Sequence, residues 1–182
     1  VNIIRTRNMD DDRKRSSLKW QRVVNTVDWV STQLPITSQY QIWSFNTGYA
    51  SIIPETEDTW LEAADRDQLN DAIENVKKIV PENGTNMTQI FRAVANMSPP
   101  PDNIFLITDG LPTLGDRNNS DSLVTPSERL ELYEEAIEEI SPGTPINVIL
   151  MPLEGDPSAA AAYWQLAQYT KGSFLTPSRD WP

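Results

Sequence analysis

Two short segments hold the residues best placed to do chemistry: Asn83-Gly84-Thr85-Asn86, and Thr108-Asp109-Gly110-Leu111-Pro112-Thr113. The first puts a hydroxyl at a helix start behind a glycine that permits a tight turn. The second puts a carboxylate directly after the apolar run Ile104-Phe105-Leu106-Ile107. No histidine and no cysteine occur in the 182 residues. Imidazole and thiolate zinc ligands, disulfides and nucleophilic triads built on His or Cys are therefore excluded. Carboxylates, hydroxyls and amides remain, and these are the ligands of hard cations such as magnesium, calcium or manganese. Taken singly, each segment also has a plain structural reading, Thr85 or Asn86 as a helix cap and Asp109-Gly110 as a turn.

Composition narrows the partners. A formal charge of -11 repels phosphate backbones and anionic membrane surfaces, so nucleic acid is not expected as a partner. The longest apolar runs are about four residues, against roughly 20 for a membrane-spanning helix. The length and the 38% hydrophobic content suit one globular core. The chain begins with valine and no signal peptide precedes it, which is expected of a start inside a longer reading frame.

The elements that must position the two segments follow from periodicity. From Ser16 to Leu34, Trp20, Val23, Val24, Val27, Val30 and Leu34 recur at helical spacing, and Pro35 stops the run. Tyr40 to Phe45 and Tyr49 to Ile53 read as two strands of a hairpin around Asn46-Thr47-Gly48. A helix over about 67–80 follows, capped by Asp65, with Leu69, Ala72, Ile73, Val76 and Val80 on one side. A third helix carries Ile90, Phe91, Val94 and Met97 and cannot pass Pro99 to Pro101. Ile104 to Ile107 then reads as a strand buried on both faces.

Thr125-Pro126-Ser127-Glu128 is a capping box with proline at the first helical position, opening a helix whose inner face is Leu130, Tyr133, Ile137 and Ile140. Its Glu131, Glu134, Glu135, Glu138 and Glu139 form a solvated face. Ile146 to Met151 is another buried strand, Asp156-Pro157 opens a helix that Lys171-Gly172 closes, and Ser173 to Thr176 is the last strand. This order predicts an α/β fold, a mostly parallel sheet between helical layers. In such sheets ligands meet the carboxyl ends of the strands, where both segments lie. Trp60, Trp181 and Tyr49 are expected to pack rather than to form a binding patch.

Together and in this order, the two segments resemble those of the von Willebrand factor type A (VWA) family. Its members carry Gly-Thr-Asn before a helix and an apolar strand ending in Thr-Asp-Gly. Ile42-Trp43-Ser44-Phe45-Asn46 is similar to the family's second strand, and Lys171-Gly172-Ser173-Phe174 to its final turn, so the resemblance runs from about Lys19 onward. It implies a three-layer, doubly wound, Rossmann-like α/β sheet, mostly parallel with one antiparallel edge strand. Residues 19–182 would form the domain and 1–18 a lead-in segment or insertion.

The resemblance also implies a metal-ion-dependent adhesion site, built from Asp-x-Ser-x-Ser after the first strand, the threonine of the second loop and the aspartate of the third. Thr85 and Asp109 are then the metal-site residues. The cation would be Mg2+, or Mn2+ or Ca2+, in the full-length parent, and the partner a protein that contributes an acidic side chain. The family binds rather than catalyses, so no enzyme activity is expected. Members are often secreted or tethered, which allows an anchor upstream of Val1.

No Asp-x-Ser-x-Ser occurs before the first helix; Asp10, Asp11 and Asp12 lie in a charged stretch and Ser16-Ser17 have the wrong spacing. Two explanations stand. Either the chain starts after that motif, with Val1 to Arg7 a helical or loop insertion, or Val1 to Thr6 is itself the first strand and the site is degenerate. The family's first strand lies mid-sheet, so a chain without it is expected to be unstable or aggregation-prone, each unsatisfied buried amide costing about 1–3 kcal/mol. Two other functions compete: a structural or assembly module without a working metal site, and a metal-dependent hydrolase using Asp109 with Asp102, Asp116 or Asp121.

Overall fold

The computed structural model describes residues 9–116, 124–152, 156–178, 180 and 181. The proposed first strand at Val1 to Thr6, the alternative insertion at Val1 to Arg7 and most of the polar loop before Thr125 lie outside the described residues. The chain divides into two units, one of residues 1–44, 50–82 and 179–182, the other of residues 45–49 and 83–178. The fold is mixed α/β, with six helices and a small three-stranded parallel sheet among the described residues.

In the first unit, helix α1 (Asp11–Arg15) precedes α2 (Leu18–Thr32). Ser17, half of the pair with the wrong spacing for a metal motif, caps α2 by accepting from Trp20 N at 3.3 Å. Strands β1 (Gln39–Tyr40), β2 (Trp43–Phe45), β3 (Tyr49–Ser51) and β4 (Leu61–Glu62) follow, then α3 (Arg66–Lys78). Asp65 caps α3 as its sequence predicts, accepting from Gln68 N at 3.0 Å. The α3 face is also as predicted: Leu69, Ala72, Ile73 and Val76 are buried. Ala72 and Val76 join Val24 and Ile52 in one apolar cluster, while Leu69 joins Tyr40, Leu61 and Ala63 in another.

The predicted single strand from Tyr40 to Phe45 is instead broken. Tyr40 pairs antiparallel with Leu61, and only Trp43 to Phe45 enters the hairpin with β3. Gln41 explains the break. Its amide donates to the carbonyls of Thr56 and Thr59 and its oxygen accepts from Ser51 Oγ at 3.1 Å, so this side chain secures the 53–60 loop. Trp181 packs as expected: its ring meets Trp29 edge-on at 5.1 Å and its Nε1 donates to the buried Thr26 hydroxyl at 2.8 Å.

The second unit contains α4 (Met87–Ala95), β5 (Ile104–Thr108), α5 (Pro126–Ile137), β6 (Ile146–Leu150), α6 (Ala159–Thr170) and β7 (Phe174–Leu175). The strands are parallel in the order β5-β6-β7, Thr108 opposite Leu150 and Ile149 opposite Leu175. Consecutive strands are therefore joined by helical crossovers, as parallel pairing requires. Central β6 is the most deeply buried, with Ile146, Val148 and Ile149 at 0% exposure. β5, read from sequence as buried on both faces, is the outer strand of this sheet among the described residues; Leu106 and Thr108 are buried but Phe105 is 44% exposed.

The capping box at α5 is present, with Thr125 N donating to Glu128 Oε2 at 2.7 Å and Glu128 N to Thr125 Oγ1 at 3.3 Å. Thr125→Ala is expected to lower unfolding free energy by about 1 kcal/mol. Denaturant titration checks this, and an unchanged midpoint would show the cap to be redundant. The inner face of α5 is rotated from the prediction, with Leu132, Tyr133 and Ala136 buried. Tyr133 fixes that rotation: its hydroxyl donates to Ala162 O at 2.9 Å and its ring meets Tyr163 edge-on at 5.4 Å. Glu131, Glu134, Glu135 and Glu138 are exposed, as expected of a solvated face, whereas Glu139 is half-buried and pairs with Arg92 at 2.6 Å.

Candidate functional site

Thr85 and Asp109 sit in loops that are hydrogen-bonded to each other. Thr85 N donates to Thr113 Oγ1 at 2.9 Å, and Thr85 O accepts from both Thr113 N and Leu114 N at 3.0 Å. The parallel bridge between Asn86 and Leu114 extends the contact. A Cβ on Gly84 would lie 2.7 Å from Thr113 Oγ1 and 2.8 Å from Leu114 Cδ1, so a larger residue there would have to displace those side chains. The tight turn predicted for Gly84 is taken by Asn83, whose φ is +69°. Asparagine tolerates that left-handed geometry better than most residues.

The cap of α4 is Asn86, accepting from Gln89 N at 3.2 Å, and not Thr85. Thr85 thus contributes its backbone to the loop pairing and leaves its hydroxyl outside these bonds. Asn86 N also donates to Asn46 O at 2.7 Å, tying the loop to the hairpin turn.

Asp109 is half-buried and follows the carboxyl end of β5. It lines a cleft with Met151, Pro152, Asp156, Ala159 and Thr176, beyond the ends of β6 and β7 and beside the start of α6. This is where a parallel sheet presents its ligand crevice.

The peptide groups around Asp109 are held on both sides. Thr108 O accepts from Met151 N at 2.7 Å. Gly110 O accepts from Tyr163 Oη at 2.8 Å and from Thr108 Oγ1 at 3.2 Å. Burial pushes the Tyr163 phenol far above its ordinary range, so it stays protonated and remains a donor. Leu111 N donates to Asp156 Oδ2 at 2.7 Å, and Arg129 Nη2 donates to Leu111 O. Arg129 and Asp156 pair at 2.8 Å, their side chains 14% and 2% exposed.

Asp156 was expected to open α6. The helix instead starts at Ala159, its N-cap Ser158 makes no side-chain cap bond, and the Asp156 carboxylate is spent on Leu111 and Arg129. Sequence reading missed Arg129 and Tyr163 altogether, since each looks like an ordinary helical residue.

Of the acidic residues proposed to join Asp109 in a hydrolase, the two that are described do not gather there. Asp102 precedes the amino end of β5 and is exposed, Asp116 pairs with Arg92 at 3.0 Å, and Asp121 lies outside the described residues. Among the described residues no group of three or more His, Cys, Asp or Glu side chains could hold a metal ion. The oxygen donors of Thr85 and Asp109 have the chemistry of a hard-cation site, but two side chains fall short of the six to eight ligands of Ca2+ or the octahedron of Mg2+. No helix among the described residues is long and apolar enough to cross a membrane. No protein-family model and no curated protein matches the chain.

Proposed function

We propose that this chain is the larger, C-terminal part of a VWA-like domain, a non-enzymatic module that recognises a protein partner through a metal-ion-dependent adhesion site. Thr85 and Asp109 are the members of that site carried here. The single observation behind this reading is the pairing of the Thr85 loop with the segment following Asp109, at the carboxyl end of a parallel sheet. Thr85 and Thr113, 28 residues apart in sequence and each in a segment explicable alone as a cap or a turn, are hydrogen-bonded partners in the fold. The finer architecture, a three-layer doubly wound sheet with a first strand beside β5, belongs to the same proposal. The exposed, apolar Phe105 on β5, the outer strand among the described residues, supports it.

A divalent cation held there would supply positive charge to an acidic side chain of the partner. Mg2+ is the first candidate, with Mn2+ and Ca2+ sharing its oxygen preference. Thr85 would offer a neutral hydroxyl and Asp109 a carboxylate. Neutral donors leave more of the cation's charge for the partner.

The test is calorimetric titration of Mg2+ and Mn2+ into the chain and into a version extended upstream of Val1 by its coding sequence. The extended protein is expected to bind, with affinity falling at least tenfold in both Thr85→Ala and Asp109→Ala. Binding that survives both substitutions, or no binding by the extended protein, would sink the proposal. A second reading, a structural or assembly module with no working metal site, is favoured by the Thr85 loop itself, whose pairing with Thr113 and Leu114 uses the Thr85 backbone and needs no metal. It predicts the second outcome.

A further inference from the structure

We infer that Asp156, Arg129 and Tyr163 are positioning residues that fix the orientation of the Asp109 carboxylate, holding the site in place from two helices and the loop before α6. The inference rests on the metal-site reading for its functional consequence. Its structural content stands on the hydrogen bonds alone.

Asp109 lies between peptide groups whose positions are set from outside its own loop. On one side, Thr108 O is tied to Met151 N at 2.7 Å, extending the β5–β6 ladder. On the other, three side chains converge on two consecutive residues. Tyr163, from α6, donates to Gly110 O at 2.8 Å; Asp156 accepts from Leu111 N at 2.7 Å; and Arg129, from α5, donates to Leu111 O. Leu111 therefore has both backbone polar groups taken by a buried ion pair, a pattern that only one peptide orientation satisfies. Leu111 itself is 1% exposed and Pro112 is also buried, so the segment cannot turn outward without exposing apolar surface.

A helix cap or a general stabiliser does not need this geometry. The pair could neutralise itself anywhere in the core, yet it is spent on the two groups of the residue two positions after Asp109. A site whose ligands come from loops must hold them to within a fraction of an ångström, and supporting hydrogen bonds are how that is done. Asp156 also lines the same cleft as Asp109.

The experiment compares the wild-type chain with Asp156→Asn, Tyr163→Phe and Asp156→Glu by isotope-edited NMR, and titrates Mn2+ alone, as the probe of affinity, into the same variants of the protein extended upstream of Val1. Tyr163→Phe removes one hydroxyl and keeps the ring, so it serves if Asp156→Asn does not fold. In Asp156→Asn the Leu111 amide is expected to exchange at least tenfold faster. The side-chain carboxyl signal of Asp109 shifts, and Mn2+ affinity falls at least fivefold. Tyr163→Phe shifts the Asp109 signal less, and Asp156→Glu restores part of the exchange protection. A merely structural role would lower the melting temperature of the variants while leaving the Asp109 signal and the Mn2+ affinity of the folded protein unchanged, and that result overturns the inference. If the extended wild-type protein takes up no Mn2+, the metal-site reading loses its support here. The positioning role is then decided by the Asp109 and Leu111 signals alone.

Discussion

Asp156→Ala is expected to be among the most damaging single substitutions in the second unit, lowering unfolding free energy by about 3 kcal/mol or more. The carboxylate is 2% exposed, and its partner guanidinium 14%. Deleting it leaves Arg129 buried without its counter-charge and Leu111 N without an acceptor. Arg129 cannot easily recover, because its Nε already has no hydrogen-bond partner among the described residues. An uncompensated buried charge costs far more than the pair itself contributes, which is why removing one member is worse than replacing both. The double variant Asp156→Leu with Arg129→Met should therefore regain the part due to the bare charge but not the part due to Leu111, whose N–H and carbonyl both stay unpaired. Chemical denaturation of the single and double variants measures the coupling. Additive losses, or a single-variant cost under about 1 kcal/mol, would show that water reaches the pair and screens it.

Gly172→Ala is the second large effect, and its cause is steric. A Cβ at this position would lie 2.0 Å from Ile146 O, 2.4 Å from Ile146 C and 2.9 Å from Ile146 N. The atoms it meets are backbone, so no side chain can swing away. Ile146 begins the central strand, is fully buried and donates its N–H to Thr170 Oγ1 at 3.1 Å. Gly172 N closes α6 by donating to Ala167 O at 2.8 Å, immediately after Lys171 in the left-handed region at φ +62°. Moving either backbone breaks the helix end or the start of β6. A loss of about 3 kcal/mol is expected, at the upper end of overpacking costs. Gly48→Ala is the control: nothing lies within 4 Å of its Cβ, and its effect should stay within about 0.5 kcal/mol. Similar thermal shifts for the two would overturn the steric argument.

Both effects fall on residues that sequence reading noticed for another reason. Gly172 was expected as a helix stop. The structure gives the left-handed turn to Lys171 and gives Gly172 the close approach to β6. Asp156 was expected as a helix start, yet its carboxylate serves a residue 45 positions earlier. A helix cap is legible because donor and acceptor lie within four residues, and an ion pair across the fold is not.

The same boundary separates the rest. Asp65 and the Thr125–Glu128 box were legible because each is a local bond fixed by chain geometry. The apolar face of α3 was legible because burial there follows helical spacing. Tyr40 to Phe45 was not, because its division between two partners depends on where Gln41 finds the carbonyls of Thr56 and Thr59. The rotation of α5 depends likewise on a tyrosine hydroxyl reaching Ala162.

By itself the sequence determined which residue types are available for chemistry, the α/β alternation, and the local caps and stops, all consequences of side-chain chemistry and of period within a few residues. Only the tertiary structure decided that Thr85 and Thr113 meet, that β5 is an outer strand among the described residues, and that Arg129, Asp156 and Tyr163 converge on the peptide groups after Asp109. Those contacts join residues tens of positions apart, and their partners are chosen by packing rather than by spacing along the chain.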